Sequence, residues 1–203
     1  MAEPLASAPV VIKVGGSLYD WAGLRSGLSE WLKGIDQPLL VPGGGPGADC
    51  IRSFDETHQL GEEAAHWMAL EALRLNAHLL AALLRELRPR IVARTAECSV
   101  CWQQFRLPIM DCHAFALADE GRTDRLPHSW RVTSDSVAAR VADVMAARRL
   151  VLMKSVSLPD GVDYVTASKR GLVDEHFPHA VGSTRRFDIS WVNLRAWQPR
   201  RAT

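Results

Sequence analysis

Two apolar segments of this sequence each run directly into a group of glycines. VVIKVGGSL occupies residues 10–18, and LLVPGGGPGAD occupies residues 39–49. The glycines are Gly15 and Gly16 in the first segment, and Gly43, Gly44 and Gly45 in the second. Glycine after a buried strand lets the backbone approach a ligand closely. Successive N–H groups and a following helix N-terminus can then form a site for an anion such as phosphate.

A second interpretation of each glycine run is a tight strand-to-helix turn that binds nothing. The sequence contains no G-x-G-x-x-G dinucleotide motif, and neither run continues into the Gly-Lys-Ser/Thr of a P-loop. The occurrence of two such runs after two apolar segments nevertheless favours a phosphate site built from both.

Two lysines in apolar segments strengthen this prediction. Lys13 interrupts VVIKV, and Lys154 ends LVLMK. Because a buried ammonium group is costly unless an anion pairs with it, each lysine is predicted to point into a ligand site at the end of its strand. A lysine that reaches past the strand to the surface is the alternative, which fits Lys154 better than Lys13. Two glycine sites and two ammonium groups suit phosphoryl transfer, which depends on positioning and on neutralising charge.

The elements that must position these residues alternate along the chain. Short strands are predicted at residues 10–14, 38–42, 91–93, 107–111, 150–154 and 188–194. Helices are predicted at residues 22–34, 46–58, 61–87 and 134–149. The last helix has Ser134 or Asp135 near its N-cap. This alternation indicates an α/β fold with a mostly parallel sheet covered on both faces. Ligands bind such sheets beyond the carboxyl ends of the strands.

The composition is ordinary for a globular protein and excludes several classes. The chain has 203 residues, 47% of them hydrophobic and 23% charged, with a net charge of +1. No basic field suggests a nucleic-acid partner or an anionic membrane surface. No apolar run reaches the ~18 residues of a membrane span, and the N-terminus does not have the pattern of a secretion signal. Four cysteines do not make a disulfide scaffold, so a cytoplasmic protein is expected.

Four motifs follow one another in the order VIKVGGSL, VPGGGPGAD, VTSDSVAARVA and LVLMKSVSLPDGV. In order and spacing they resemble the amino acid kinase family, from residue 10 to about residue 165. The resemblance implies a three-layer αβα sandwich and an ATP-dependent kinase of small molecules that uses Mg²⁺. It implies one domain over residues 1–203, with an acceptor lobe at about 1–120 and a nucleotide lobe at about 121–203.

The resemblance also implies roles for individual residues. Lys13, Asp135 and Lys154 would be catalytic, with Asp135 orienting the catalytic lysine, because an ionised acceptor needs no general base. The residues expected to bind the nucleotide are Gly15, Gly16, Ser17, Ser134, Ser136, Asp160 and Gly161. Those expected to bind the acceptor are Gly43, Gly44 and Gly45, with Arg52 as an added clamp on a phosphate. No residue of the chain is predicted to ligate a metal.

The segment GEEAAHWMALEALRLNAH, residues 61–78, resembles the small kinases of methanofuran-type cofactor synthesis. Those kinases convert aminomethylfuran methyl phosphate to its diphosphate, which implies a small phosphate monoester as the acceptor. The glycine site agrees, because a carboxylate acceptor would more often be held by a bidentate arginine. Two alternatives stay open. One is a non-catalytic member that binds nucleotide or oxyanion for storage or regulation, and the other is a kinase for a carboxylate or carbamate.

The sequence departs from the family pattern after Asp160. Many members carry a Gly-Gly-Met segment and a second catalytic lysine late in the chain, and the sequence here contains no such segment. Lys154, Lys169 or Arg185 could supply the missing positive charge, and the sequence does not select among them.

Four residues, Cys98, Cys101, Cys112 and His113, have the composition of a zinc site. Ordinary buried or loop cysteines are favoured instead. The reason is that Cys112 and His113, as neighbours on a strand, would point to opposite faces.

Other groups are assigned mainly to the surface or to packing. Glu62, Glu63 and His66 could form a metal or substrate site, although a solvated helix start is favoured. His176 and His179 are expected in a surface loop. The broad leucine- and alanine-rich face of residues 68–84 could serve a dimer as well as a core. A homo-oligomer is therefore expected.

Overall fold

One six-stranded sheet forms the centre of the protein in a computed structural model that describes residues 8–182 and 186–199. The strands are β1 (Val10–Val14), β2 (Pro38–Pro42), β3 (Arg90–Val92), β4 (Pro108–Met110), β5 (Arg149–Lys154) and β6 (Asp188–Asn193). They lie in the order β3-β4-β2-β1-β5-β6. Every strand pairing in the described ranges is parallel. The predicted α/β sandwich is therefore confirmed.

Eight α-helices cover the sheet in the described part of the chain. They are α1 (Leu24–Leu32), α2 (Gly45–His58), α3 (Glu62–Leu83), α4 (Cys98–Gln103), α5 (Cys112–Asp119), α6 (Ser134–Val144), α7 (Tyr164–Lys169) and α8 (Phe177–Gly182). Three helices are shorter than predicted, because α1 spans only Leu24–Leu32, α3 ends at Leu83 and α6 ends at Val144. None of the helices within residues 8–182 and 186–199 has the length and apolarity that a bilayer crossing requires.

Alternation along the central strands separates two apolar clusters, one on each face of the sheet. Val11 of β1 belongs to a cluster with α5, α6 and α8, whereas Val10, Ile12 and Val14 belong to a cluster with α1 and the C-terminal half of α3. Since side chains two apart on a strand share a face, Lys13 lies on the face of Val11. The same alternation along β5 puts Lys154 on the face of Leu150 and Leu152. Both lysines therefore emerge on the face covered by α6.

The two glycine turns lie against each other at the carboxyl ends of β1 and β2, which pair in register. A Cβ on Gly43 would lie 2.6 Å from the backbone nitrogen of Gly16, and one on Gly16 would lie 2.3 Å from that of Gly45. Gly45 also has a φ of +51°, which favours glycine. Contact between the two turns therefore requires glycine at these positions, whether or not a ligand binds there.

Two side chains from elsewhere in the fold fix the second glycine turn. The Gly43 N–H donates to the Tyr19 hydroxyl at 3.0 Å. The buried Asn76 amide on α3 donates to the carbonyl oxygens of Gly43 and Gly44 at 2.8 and 2.7 Å. Buried backbone groups need such partners, and these bonds set how the peptide planes of the turn are oriented. No pattern in the sequence marks either residue as part of the site.

The sheet is continuous across the predicted lobe boundary. Strands β1 to β4 come from the first 120 residues and β5 and β6 from the rest, and β1 pairs with β5 over five residues. Helix α5 ends at Asp119 and α6 begins at Ser134, so the segment between them joins the two parts. The division into an acceptor lobe and a nucleotide lobe stays a prediction.

We expect Gly16→Ala to destabilise the protein, because the new methyl would overlap the backbone of Gly45. Overpacking of this kind costs about 1–3 kcal/mol, which lowers Tm by roughly 2–4 °C per kcal/mol in a chain of this size. Gly34→Ala is the matched control, because no heavy atom of the described residues lies within 4 Å of its Cβ. Equal thermal melting of the two variants would contradict the packing of one turn on the other.

Candidate active site

Three buried charges meet at the carboxyl ends of β1 and β5. The Lys13 ammonium lies 2.8 Å from Oδ1 of Asp135. The Lys154 ammonium lies 2.8 Å from the same oxygen and donates to Oδ2 at 2.9 Å. Lys13 and Asp135 are each only 4% exposed, and Lys154 is 9% exposed. The structure thus brings together the three residues predicted to be catalytic.

The geometry of this cluster follows from the sheet and the start of α6. Lys13 on β1 and Lys154 on β5 lie on adjacent parallel strands, and both side chains point to the face of the sheet that α6 covers. Asp135 is in the first turn of α6, where the helix dipole favours a negative charge. The expectation that Ser134 or Asp135 lies near the N-cap is confirmed, because Thr133 is the N-cap residue and the other two follow it directly. The Asp135 carboxylate is directed to the lysines.

The pKa values of the cluster reflect burial and mutual charge. Burial alone would raise the pKa of Asp135, but the ammonium groups of Lys13 and Lys154 outweigh it and lower that pKa to about 2. Burial and the charge of Lys13 lower the pKa of Lys154 to about 8, despite the opposing effect of Asp135. Asp135 is therefore ionised at neutral pH and is unsuited to act as a general base.

Lys154 has two further contacts that hold its side chain in place. It donates to the carbonyl oxygen of Leu172 at 2.8 Å, and its ammonium lies 5.4 Å from the centre of the Trp191 ring. The alternative in which Lys154 reaches the surface is therefore wrong. Of the other residues considered as a late positive charge, Lys169 is exposed on α7, and Arg185 lies outside the described residues.

Asp174 organises the start of α6, and the sequence analysis missed it. Its carboxylate accepts hydrogen bonds from the backbone N–H groups of Thr133, Ser136 and Phe177 and from the hydroxyls of Thr133 and Ser136, at 2.5–3.0 Å. Its own N–H donates to Asp135 at 3.2 Å. Burial and the charge of Asp135 raise the pKa of Asp174. A distant carboxylate thus caps α6 and links the cap to the charged cluster.

A cavity of about 170 Å³ lies beside the glycine turns. Its polar lining consists of Gly16, Gly44, Gly45, Asp49, Arg52, His66, Ser129, Thr133 and Ser134. The remaining lining residues are apolar, namely Ala48, Ala69, Leu70, Leu73, Trp130, Val132 and Val137. Arg52 lies with its guanidinium 4.7 Å from the centre of the Trp130 ring, and Trp130 donates to Asp55 at 2.7 Å. The cavity therefore combines backbone donors and one arginine with rigid apolar walls.

A second, more open cleft of about 310 Å³ lies beside the charged cluster. Asp135, Lys154 and Asp174 line it together with the backbone around Leu172. Trp130 and Thr133 line both concavities. Two ligands could therefore bind on the two sides of one wall, with the lysines and Asp135 nearby.

The remaining predicted binding residues divide into those at the cavity and those away from it. Gly16, Gly44, Gly45, Ser134 and Arg52 line the cavity. Gly15 and Gly43 are not among its lining residues, and their N–H groups donate to Met153 and to Tyr19. The ligand roles of all these residues stay predictions.

The serines and the late loop also differ from the expectation. Ser17 shares a hydrogen bond with Ser155 at 2.8 Å, which ties the first glycine turn to the loop after β5. Ser136 is fully buried and its hydroxyl donates to Asp174, which makes it part of the capping network of α6; its predicted contact with the nucleotide stays a prediction. Asp160 and Gly161 lie on an exposed turn, where Gly161 has a φ of +71°.

The cysteines do not form a metal site. Cys98, Cys101 and Cys112 are free and buried in the apolar core, where burial raises the pKa of each thiol. Cys112 and His113 begin helix α5 instead of lying on a strand. Across residues 8–182 and 186–199, no group of three or more His, Cys, Asp and Glu side chains is arranged to hold a metal ion.

The start of α3 differs in part from the surface assignment. Glu62 and Glu63 are exposed, as expected, but His66 is buried and lines the cavity. The expectation of a solvated helix start is therefore wrong for His66. The rings of His176 and His179 lie 5.0 Å apart; His176 is in the turn before α8, as expected, and His179 is exposed but lies within α8 instead of in a loop.

Comparison with known proteins identifies related sequences. A model of the amino acid kinase family matches residues 8–162. The chain is 25% identical over 188 residues to (5-(aminomethyl)furan-3-yl)methyl phosphate kinase of Methanocaldococcus jannaschii, covering 83% of this chain and 80% of that protein.

Solved structures with a similar fold include two kinases. Uridylate kinase from Archaeoglobus fulgidus superposes with a TM-score of 0.62 at 18% identity, covering 92% of each chain. Carbamate kinase from Giardia lamblia, solved with AMP-PNP, superposes with a TM-score of 0.53 at 12% identity, covering 93% of each chain. At these identities the likeness concerns the fold.

We expect Asp174→Asn to lower the free energy of unfolding by about 1–3 kcal/mol. An amide has one acceptor oxygen and brings an NH₂ group among the Thr133 and Ser136 donors, so at least one buried donor loses its partner. Thermal or urea denaturation measures this change. The control is Glu175→Gln, since Glu175 forms only an exposed pair with Arg131 at 3.3 Å and such pairs contribute little. An Asp174 variant as stable as the control would show that the cap contributes nothing.

Proposed function

This chain belongs to the amino acid kinase family and is an ATP-dependent small-molecule kinase, and on that premise we propose that it phosphorylates a small phosphate monoester to a diphosphate. The observation that carries this proposal is the buried Lys13–Asp135–Lys154 cluster beside the paired glycine turns. Two ammonium groups share one carboxylate there, so the cluster retains positive charge. Such an environment stabilises the charge that develops on phosphoryl oxygens during transfer.

In the proposed reaction an oxygen of the acceptor's phosphate attacks the γ-phosphorus of ATP. The bond between that phosphorus and the oxygen bridging to the β-phosphate breaks, and ADP leaves with the electron pair. The acceptor oxygen is already ionised at neutral pH, so no proton has to be removed. Lys13 and Lys154 would neutralise charge on the phosphates, and Asp135 would keep both ammonium groups in position. The energetic contribution of the protein is positioning and electrostatics.

The division of ligands between the two concavities follows from their chemistry. The closed cavity offers backbone of Gly44 and Gly45 at the start of α2, where a phosphate is favoured by the helix N-terminus, and Arg52 is a second positive group. The more open cleft is lined by Lys154 and Asp135, which places an ammonium group where the phosphates of a nucleotide could reach it. We therefore propose that the acceptor binds in the cavity and ATP in the cleft.

Mg²⁺ is proposed to enter as part of the MgATP substrate. The Asp135 carboxylate is held by two ammonium groups and that of Asp174 by the donors at the start of α6, and the described residues form no cluster of metal ligands. Mg²⁺ keeps several waters and binds readily to phosphate oxygens, so the nucleotide would hold it. The positive charge that the protein itself contributes to the phosphates would come from Lys13 and Lys154.

The walls of the cavity favour an acceptor with a small, flat body. Trp130 is fixed by its bond to Asp55, and leucine, alanine and valine side chains supply much of the remaining lining. A furan ring has the size and polarity for such walls. The relative from Methanocaldococcus jannaschii is named for an aminomethylfuran methyl phosphate, and we propose that compound, or a close analogue, as the acceptor here.

The chain is also proposed to work as a homo-oligomer. Leu75 and Leu79 are exposed on α3, one turn apart on the leucine- and alanine-rich face considered above. Burying them against a second copy would remove apolar surface from water. Size-exclusion chromatography with light scattering would measure the assembly.

The proposed function predicts ADP release with phosphate monoesters. Purified protein with MgATP should turn over aminomethylfuran methyl phosphate, and should be inactive with acetylglutamate, aspartate and carbamate. Lys13→Met should lower kcat about 10²–10³-fold, as removal of one preorganised charge contact commonly does, while the fold survives. Lys33→Met is the control, because Lys33 is an exposed lysine paired only with Glu30.

Two outcomes would contradict this assignment. Efficient turnover of a carboxylate or carbamate, with no turnover of any phosphate monoester, would make the acceptor assignment wrong. ATP binding without ADP release under every acceptor would instead indicate a non-catalytic binding protein.

The pKa of Lys154 predicts a decline of activity at alkaline pH. Its pKa of about 8 means that the ammonium loses its proton as pH rises through that value, and the nucleotide site then loses a positive charge. The kcat/KM for ATP reports the free enzyme, so it should fall above about pH 8. In Lys154→Arg the guanidinium stays charged, and the decline should move to higher pH. An identical alkaline limb in both proteins would show that another group is responsible.

A further inference from the structure

His66 is a buried polar side chain in the acceptor cavity that the proposed reaction does not use. It is 6% exposed, lies on the first turns of α3, and lines the same cavity as Gly44, Gly45 and Arg52. Burying a polar group costs free energy unless it has partners, so this histidine requires an explanation beyond packing.

A second histidine holds His66 in place. The ring of His128 stacks on it, with centroids 5.0 Å apart and an angle of 18° between the planes. Nδ1 of His128 lies 2.8 Å from Glu63, and Nε2 lies 2.7 Å from Glu120. Trp67 packs its edge against His66 and donates to Glu63 at 3.0 Å. The His66 ring is therefore fixed by an aromatic and ionic clamp.

The clamp determines the protonation state of both rings. Burial opposes the charged form of His128, but hydrogen bonds from both ring nitrogens to Glu120 and Glu63 outweigh it and raise its pKa. Burial and the charge of His128 lower the pKa of His66. A neutral imidazole has one donor and one acceptor nitrogen. The backbone of Ser129 opposes the lowering of this pKa, as a carbonyl that accepts from one ring nitrogen does, so the other nitrogen is the one offered to a ligand in the cavity that His66 lines.

Asp49 supports the same conclusion about the ligand. It is the one carboxylate among the residues that line the cavity within the described part of the chain. The cavity thus offers donors and positive charge at Gly44, Gly45 and Arg52, and acceptors at His66 and Asp49. A protonated amine donates up to three hydrogen bonds and carries the charge that Asp49 would attract. A second anionic group on the acceptor would meet no further cation there.

We propose that His66 determines acceptor specificity by accepting a hydrogen bond from a protonated amine on the part of the acceptor that is not phosphorylated. This inference rests on the proposed function, because it takes the cavity to be the acceptor site. Asp49 assists through its charge, and His128, Glu63 and Glu120 position the His66 ring.

The test compares two acceptors that differ only in the amine. One is aminomethylfuran methyl phosphate, and the other carries a methyl group in place of the aminomethyl group. A hydrogen bond to a charged group corresponds to about 10- to 10²-fold in binding, so the unmodified protein should prefer the amine by that factor in kcat/KM. His66→Leu should bring the ratio of the two kcat/KM values close to one. The ratio is the measurement, since a purely structural defect would lower both rates together.

Two variants complete the design. His66→Gln keeps an acceptor atom in the side chain and should restore part of the preference for the amine. His78→Leu changes an exposed histidine on the same helix and should leave the ratio as it is in the unmodified protein. Thermal melting of each variant shows whether it is folded.

The possible results separate the two proposals. If His66→Leu and His66→Gln both keep the full preference for the amine, the inference is overturned while the proposed function stands. The same holds if the unmodified protein turns over both compounds equally. Isothermal titration of both compounds needs no turnover. If neither compound binds or reacts, the proposed acceptor is wrong, and the role of His66 is overturned with it.

Discussion

The shared carboxylate of Asp135 is the interaction on which the rest of the structure depends. Two ammonium groups lie within 3 Å of it in a nearly dry environment, where removal of the single anion would leave two cations without compensation. Positions in β1, β5 and α6 must therefore be held together accurately. Strand register fixes the two lysines, and Asp174, which caps α6 and bonds to Asp135 through its N–H, fixes the carboxylate.

The glycine turns show how packing and binding requirements coincide. The turns contact each other so closely that side chains are excluded at Gly16 and Gly43, and Asn76 and Tyr19 occupy backbone groups of the second turn. What remains free of these bonds is the side of Gly44 and Gly45 that lines the cavity. The same glycines thus allow the two turns to meet and leave backbone exposed beside the lysines.

The sequence predicted the features that are local or periodic. The positions of Lys13 and Lys154 in apolar segments predicted that both enter a ligand site, and the alternation of strands and helices predicted a mostly parallel sheet covered on both faces. Asp174, Asn76 and His128 were missed, because their partners lie 8 to 65 residues away and no local pattern marks such pairs. The hydrogen bonds of Ser136 and Gly43 within the fold could not be foreseen either, because a motif does not tell which of its polar groups is bonded to a distant part of the chain.

The excess of positive charge argues that this cluster is a ligand site and not a structural ion pair. An ion pair that served stability alone would match each ammonium with its own carboxylate. Apolar residues could also replace such a pair with little loss of folding free energy. Here burial and the second ammonium lower the pKa of Lys154 to about 8, which means that its charged form is held at an energetic disadvantage. An arriving phosphate would relieve that disadvantage by supplying the missing negative charge. The relief of this cost would contribute to the free energy of binding and orienting the transferring group. Polar sites in proteins exchange stability for function in this way.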